Sequence, residues 1–344
     1  MQSYVNMKSL ALAFAALPLL AAAPVDPKPA LAPSEIVAAA PSVDWVRIAP
    51  TDLMVMDLAP DGKGRARRII IQLMPPPFSK DWVSNIRTLV AARWYDGVSV
   101  NRVQDNYVAQ WGDADGEDPK KAKALPDGLT QVPQSAYVLR SPETVKALSE
   151  AFRQSKIAFA ADALTQAITA EPGTLQSNRR NPAGNPDPYS MMSGFVAGWP
   201  IGADLKDVWP VHCYGMVGVG RGLSPDTGTG AELYTVIGHA PRHLDRNIAL
   251  VGRVIEGIEH LSSLPRGTEA LGFYKTAEDR TSIVSVRMGN EVKGLPPFEY
   301  LSTESGSFMR YADARANRRD AFFNVPAGGA DICNVSVPVR RAKG

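Results

Sequence analysis

The sequence predicts a mainly β protein, a closed barrel of antiparallel strands that carries a long, partly helical insertion. Three observations predict it. Short alternating segments of apolar and polar residues occupy both halves of the chain, with one clear amphipathic helix among the first group. Gly 28 and Pro 28 make about a sixth of the 344 residues, a turn-rich composition that disfavours a helical bundle. Between Asp113 and Val211 the pattern changes to helix and loop signals, and then the strands resume, as in a barrel that closes around an excursion.

The first element is a leader. Residues 7–23, MKSLALAFAALPLLAAA, carry one Lys, an apolar run from Leu10 to Leu20 and the small residues Ala21, Ala22 and Ala23 before Pro24. This reads as a signal peptide cleaved near Ala23, because the run is too short for a stable bilayer span and the A-x-A ending suits signal peptidase. A retained N-terminal anchor is the other reading; both place the body of the protein outside the cytoplasm, periplasmic or secreted. Residues 24–41 read as a Pro-rich tether.

One domain is expected over residues 42–340. Trp45 to Leu58 and Arg65 to Met74 read as antiparallel strands around the turn Pro60-Asp61-Gly62. Pro75-Pro76-Pro77 stops the second, and Ser79 is placed to cap a helix with Trp82, Ile86, Leu89 and Val90 on one face. After the turn Asp96-Gly97, segments Val98 to Val103 and Tyr107 to Trp111 fit a hairpin. The insertion, about 114–210, predicts a helix opened by Ser141-Pro142, a second from Ala160 to Thr169 and an exposed loop, LQSNRRNPAGNPDPYS. As a lid-like excursion it should contribute little to the core. From Cys213 the strands return as YGMVGVG, ELYTVIG, IALVGRVIEG and TSIVSVRMG, and after a loop-rich excursion at about 290–330 the segment ICNVSVPV reads as the closing strand.

Composition excludes several functions. Hydrophobic residues at 45% and charged residues at 21% argue against disorder and against a multi-span membrane protein. A net charge of +2 leaves no basic surplus for a nucleic-acid partner. The Gly-rich run GVGRGLSPDTGTGAE lacks a surrounding βαβ unit and has Pro225 where a helix would start, which argues against nucleotide binding. His239 and His243 have Pro241 between them and no Glu after His239, so no zinc site is expected, nor any cofactor. No G-x-S-x-G elbow is present. Cys213 and Cys333, on expected strands in an oxidising compartment, are either a disulfide or two small buried thiols.

The segment WYDGVSVNRVQDNYVAQWGD, from Trp94, resembles the cyclophilin signature Y-x-G-x-x-F-H-R-x-x-x-x-F-x-x-Q-G-G-D. Downstream, GTGAELYTVIG is similar to the family's G-S-Q-F-F-I region. HLDRNIALVGRVIEGIEHL is similar to W-L-D-x-x-x-x-x-F-G-x-V-x-x-G, without a gap from Leu244-Asp245 to Gly257. The resemblance covers roughly residues 45–113 and 211–289, with the last strand near 331–339. It implies an eight-stranded antiparallel barrel capped by two helices, and a peptidyl-prolyl cis-trans isomerase with a shallow groove for X-Pro segments of extended or unfolded polypeptides.

By motif position the resemblance assigns Arg102 as donor to the prolyl nitrogen and Gln110 as the glutamine that binds the substrate backbone. It assigns Tyr107, Val108, Tyr234 and Leu244 to the apolar cup for proline, with Tyr at two positions where the family has Phe and Val where it has Met. Glu232 replaces a Gln near the substrate carbonyl; it cannot donate while ionised, and close to Arg102 it is expected to pair with the guanidinium. His243 stands where many eukaryotic members use Trp to hold cyclosporin, which implies poor binding of that inhibitor. Ile248 replaces a groove His, and Trp111 replaces a Gly of the Q-G-G-D turn. Glu232 and the long insertion also suit a second reading, a non-catalytic barrel that grips Pro-containing segments or a protein partner.

Overall fold

A computed structural model describes residues 30–140 and 187–342. The leader and both helices expected near 141–169 lie outside the described residues. Among the described residues no helix is long and apolar enough to cross a membrane.

The chain opens with helix α1, Pro33–Ala38, on the segment read as a tether. Pro33 and Ala40 are buried there, so the proline run is anchored to the fold rather than free. The expected first strand is two. β1, Trp45–Arg47, ends before a 3-10 turn at Pro50–Asp52, and β2, Leu53–Leu58, begins after it. Pro50 has no N–H to give a ladder, which is why the strand breaks there. β2 pairs with β3, Arg67–Leu73, across the expected turn. Helix α2, Lys80–Ala91, follows and buries Trp82, Ile86, Leu89 and Val90 as its periodicity requires. Ser79 precedes it in the left-handed region, at φ 50°, and its side chain makes no capping hydrogen bond, contrary to the expectation. The hairpin β4, Ser99–Val103, and β5, Val108–Gly112, is as expected.

Three strands, β6 Met192–Val196, β7 Trp199–Ala203 and β8 Val208–Pro210, form a separate sheet in the insertion. The barrel then resumes with β9 Met216–Val219, β10 Leu233–Val236, β11 Leu250–Glu256, the one-turn helix α3 Glu259–Ser262 and β12 Thr281–Met288. The excursion at 290–330 contains more than loops, namely β13 Phe298–Leu301 and helix α4 Gly306–Ala316, whose N-cap Ser305 accepts a hydrogen bond from the Phe308 amide. The last strand, β14, is Val339–Arg341, whereas Ile332–Asn334 is a 3-10 turn. β14 does not close the barrel. Eight strands already do so in the order β10-β5-β4-β12-β2-β3-β11-β9, with β9 paired back to β10, and no edge remains for a ninth. β14 pairs instead with β13, and β13 with β1.

This third sheet explains why β2 and β3 read as nearly unbroken apolar runs. Met54, Met56, Ile69 and Ile71 fill the barrel interior, while Leu53, Val55 and Ile70 on the other face are covered by Ile48 and Phe298. The insertion is no detachable lid either. Val132, Tyr137, Val138 and Trp209 belong to the barrel's own core, and Tyr137 stacks on Trp82 with ring centroids 5.3 Å apart. Cys213 and Cys333 form a disulfide, settling the alternative in favour of the bond and tying the C-terminal segment to the residues that lead into β9.

Candidate functional site

Register places the site. Arg102 on β4 faces Gln110 on β5, Gln110 faces Tyr234 on β10, and Tyr234 faces Gly218 on β9. Directly opposed residues share a face of a sheet, so these four form one row across the outside of the barrel. Their neighbours Ala109, Trp111 and Leu233 fill the interior. Trp111, unexpected in a turn signature, is therefore a fully buried core residue at the end of β5. At Gly112 beside it the Glu232 carboxylate occupies the space a Cβ would take, so a larger residue there would displace that carboxylate.

The apolar cup consists of Val108, Tyr234 and Val236, with Tyr107 and Ile248 against it. Leu244 lies on the adjoining 3-10 turn, Arg242–Leu244, half-buried and outside that cluster. His243 is exposed on the same turn and stacks on Tyr107 at 6.4 Å, so it forms the rim.

Arg102 is held on three sides. Nε donates to the Leu271 carbonyl at 2.7 Å, Nη1 to Gln110 Oε1 at 3.0 Å and Nη2 to Gln104 Oε1 at 2.5 Å. Its guanidinium also lies 5.8 Å from the Tyr107 ring centroid and 5.5 Å from that of Phe273. Of the five N–H groups of an arginine, three are so used and one on each terminal nitrogen remains. Burial lowers its pKa somewhat from the ordinary arginine value. Leu271, the anchor for Nε, comes from a loop 169 residues downstream and adopts φ 58°. No signature residue marks that loop, and the sequence offered no sign of it.

Glu232 does not pair with Arg102. Gln110 stands between them, accepting from Arg102 through Oε1 and donating through Nε2 to Glu232 Oε2 at 3.2 Å. The separation corrects the expected ion pair, and it follows from the row itself, since the Gln110 side chain occupies the space between the two. Burial, with the added repulsion of Asp113 and Glu117, pushes the Glu232 carboxyl up to about 7 despite the Gln110 hydrogen bond. Near neutrality a large fraction of Glu232 is thus protonated and able to donate, which the ionised residue assumed from sequence could not. Beyond it the groove opens into a cavity of about 420 Å³ walled in part by Gln110, Asp113, Asp226 and Glu232.

Behind the cup is a buried polar chain that sequence reasoning missed. Tyr234 Oη lies 3.0 Å from His212 Nε2, His212 Nδ1 lies 2.8 Å from Asp245 Oδ1, and Asp245 Oδ2 accepts from Arg242 Nε at 2.7 Å. Asp245 also accepts from the His212 amide at 2.9 Å, and Arg242 continues to Asp187 at 3.1 Å. Burial alone would raise the Asp245 carboxyl, but His212 and Arg242 outweigh it and hold it below its usual value. Tyr where the family has Phe, beside a His and the Leu244-Asp245 pair, was the available signal.

Several comparisons bear on this geometry. The sequence profile described as cyclophilin type peptidyl-prolyl cis-trans isomerase/CLD matches residues 63–288. The solved structure of cyclophilin AquaCyp293 from Hirschia baltica aligns with a TM-score of 0.57 at 20% identity, covering 87% of this chain and 95% of that one. A cyclophilin type peptidyl-prolyl cis-trans isomerase of Cryptosporidium parvum, solved in the presence of the dipeptide Ala-Pro, aligns at 11% identity and a TM-score of 0.34, covering 68% of this chain and 98% of that one. No curated protein sequence matches the chain. With an eight-stranded closed barrel and a family match over most of its length, the chain belongs to the cyclophilin-type peptidyl-prolyl cis-trans isomerases.

Proposed function

We propose that this isomerase acts on X-Pro bonds of exported polypeptides by non-covalent catalysis, with Arg102 donating to the prolyl nitrogen. The observation that carries the reading is the row Arg102, Gln110, Tyr234, which sets a half-buried guanidinium next to an apolar cup on one face of the barrel. Rotation about an X-Pro amide faces a barrier of ~18–20 kcal/mol and takes tens to hundreds of seconds unaided. Twisting the amide removes its resonance and leaves the prolyl nitrogen basic, so a fixed donor aimed at that nitrogen favours the twisted state over the planar one. Arg102, clamped by Leu271, Gln104 and Gln110 with two N–H groups to spare, suits that task. Val108, Tyr234 and Val236 hold the ring while the acyl side rotates, and Gln110 and protonated Glu232 supply donors for the substrate backbone.

Support for an exported client comes from the leader at residues 7–23 and from the Cys213–Cys333 disulfide, which persists in an oxidising compartment. The test is an NMR exchange or protease-coupled assay of the mature chain on a short Ala-Pro peptide. Acceleration over the spontaneous rate is expected; tight binding of the peptide with no acceleration would instead make the protein a binding module.

A further inference from the structure

On another side of the barrel, β11 carries Arg253 into the interior of the fold. It is 6% exposed. Nε donates to Gln72 Oε1 at 2.9 Å and Nη1 to the Gly198 carbonyl at 2.7 Å, while Nη2 is buried without a partner. The rings of Trp199 and Tyr300 lie 4.6 Å and 5.7 Å from the guanidinium carbon. These aromatic faces and neutral acceptors answer part of the charge, but among the described residues no carboxylate forms an ion pair with it. Glu256, the acid nearest in sequence, is taken by Arg341 at 2.8 Å. Burial lowers the Arg253 pKa to about 10, so the group remains cationic at neutral pH. A buried charge without a counter-charge is costly, and proteins keep one chiefly where an anion meets it.

The room for such an anion is present. Arg253 forms part of the wall of a cavity of about 410 Å³, a size typical of small-molecule sites. Most of the other lining side chains are apolar, including Phe195, Met216, Ile255 and Val337, and among the described residues none is acidic. The Cys213–Cys333 disulfide lines the same cavity and holds the C-terminal segment over it. We propose that this cavity binds a small amphiphilic monocarboxylate, its carboxylate turned toward Arg253 and its aliphatic body among the apolar side chains. The site is built from β9, β11, the insertion sheet and the C-terminal segment, and it shares no residue with the row Arg102, Gln110, Tyr234. It therefore does not depend on the isomerase mechanism.

The experiment is calorimetric titration of the full mature chain with octanoate, 1-octanol and inorganic phosphate, with Trp fluorescence followed in parallel because Trp199 stacks on Arg253. Octanoate should bind with one-to-one stoichiometry, and Arg253→Met should weaken it at least about tenfold. Octanol should bind weakly and equally to both proteins, and phosphate should not compete. Val337→Trp, which fills the cavity and leaves Arg253 in place, should abolish octanoate binding and keeps the test decisive if Arg253→Met does not fold. Absence of octanoate binding, equal binding by Arg253→Met, or indifference to Val337→Trp would overturn the proposal. Phosphate binding as tight as octanoate would also overturn it, by reducing the site to a plain anion site.

Discussion

The Tyr234 hydroxyl and Nε2 of His212 lie 3.0 Å apart with both side chains buried, so the floor of the apolar cup is a hydrogen-bonded ring and not merely a packed one. Asp245, an ionised acceptor, accepts a hydrogen bond from His212 Nδ1–H, and in that tautomer Nε2 accepts from the Tyr234 hydroxyl. The ring lies across Gly218, where a Cβ would collide with the hydroxyl.

This chain predicts a defined coupling. Tyr234→Phe should cost about 1–2 kcal/mol of stability, because His212 Nε2 is left buried without a partner. The loss in catalysis should appear mainly as a several-fold higher KM, since the floor positions the substrate ring. A double-mutant cycle with His212→Phe, read by denaturant midpoints, should be non-additive by about 1 kcal/mol. Additive effects would mean that the contact does no positioning.

Arg102→Ala should lower kcat/KM by roughly 10²–10³, by analogy with the removal of one preorganised donor from an oxyanion hole, while peptide affinity changes little. Arg102→Lys should not rescue it, because one mobile ammonium cannot satisfy Leu271, Gln104 and Gln110 and still donate to the substrate. Full activity in Arg102→Ala, measured on the Ala-Pro peptide, would remove the proposed mechanism.

Glu232 should make both activity and stability pH-dependent. Its folded-state pKa of about 7 lies above the ordinary value of 4.5, so the folded protein binds the extra proton between these limits. Stability from this group is fully present below about pH 4.5 and is lost as pH rises through 7, on the order of 3 kcal/mol in total. Glu232→Gln should flatten that slope in urea melts at pH 5 and pH 8. The variant should also retain at pH 8 the activity that the parent loses as its neutral donor ionises. A parallel pH profile in both proteins would place the titration elsewhere.

Deleting residues 118–207 with a short Gly/Ser bridge should abolish soluble, cooperatively folding protein. The segment supplies Val132, Tyr137 and Val138 to the barrel core. Each buried side chain of this size is worth about 1.5–3 kcal/mol, and three together approach the ~5–15 kcal/mol that stabilises a whole domain. Retained β-type circular dichroism and a sharp melt would show the barrel to be independent of it.

The hairpin that holds Arg102 and Gln110 was legible in the sequence because its two short apolar-rich strands follow the turn Asp96-Gly97 and are joined by a short turn. The same holds for β2, β3 and α2, where Pro60-Asp61-Gly62, the triple proline and the 3.6-residue spacing are all local signals. The strand order around Pro50 and the C-terminal segment was not legible. Whether Val339–Arg341 joins the barrel depends on whether a free edge remains, and that is a property of the closed sheet rather than of the segment.

By itself, then, the sequence determined the class of fold and singled out Arg102, Gln110 and Tyr234 as candidates, since both rest on patterns spanning a few tens of residues. Only the tertiary structure decided the state of the groups around them. Glu232 titrates near 7 because burial and two acids brought close by folding act on it, His212 from the loop before β9 meets Tyr234 on β10, and Arg253 is sealed in by residues from the insertion and the C-terminal segment. Desolvation and electrostatic fields depend on distances in space, and residues far apart in the chain carry no local sign of them.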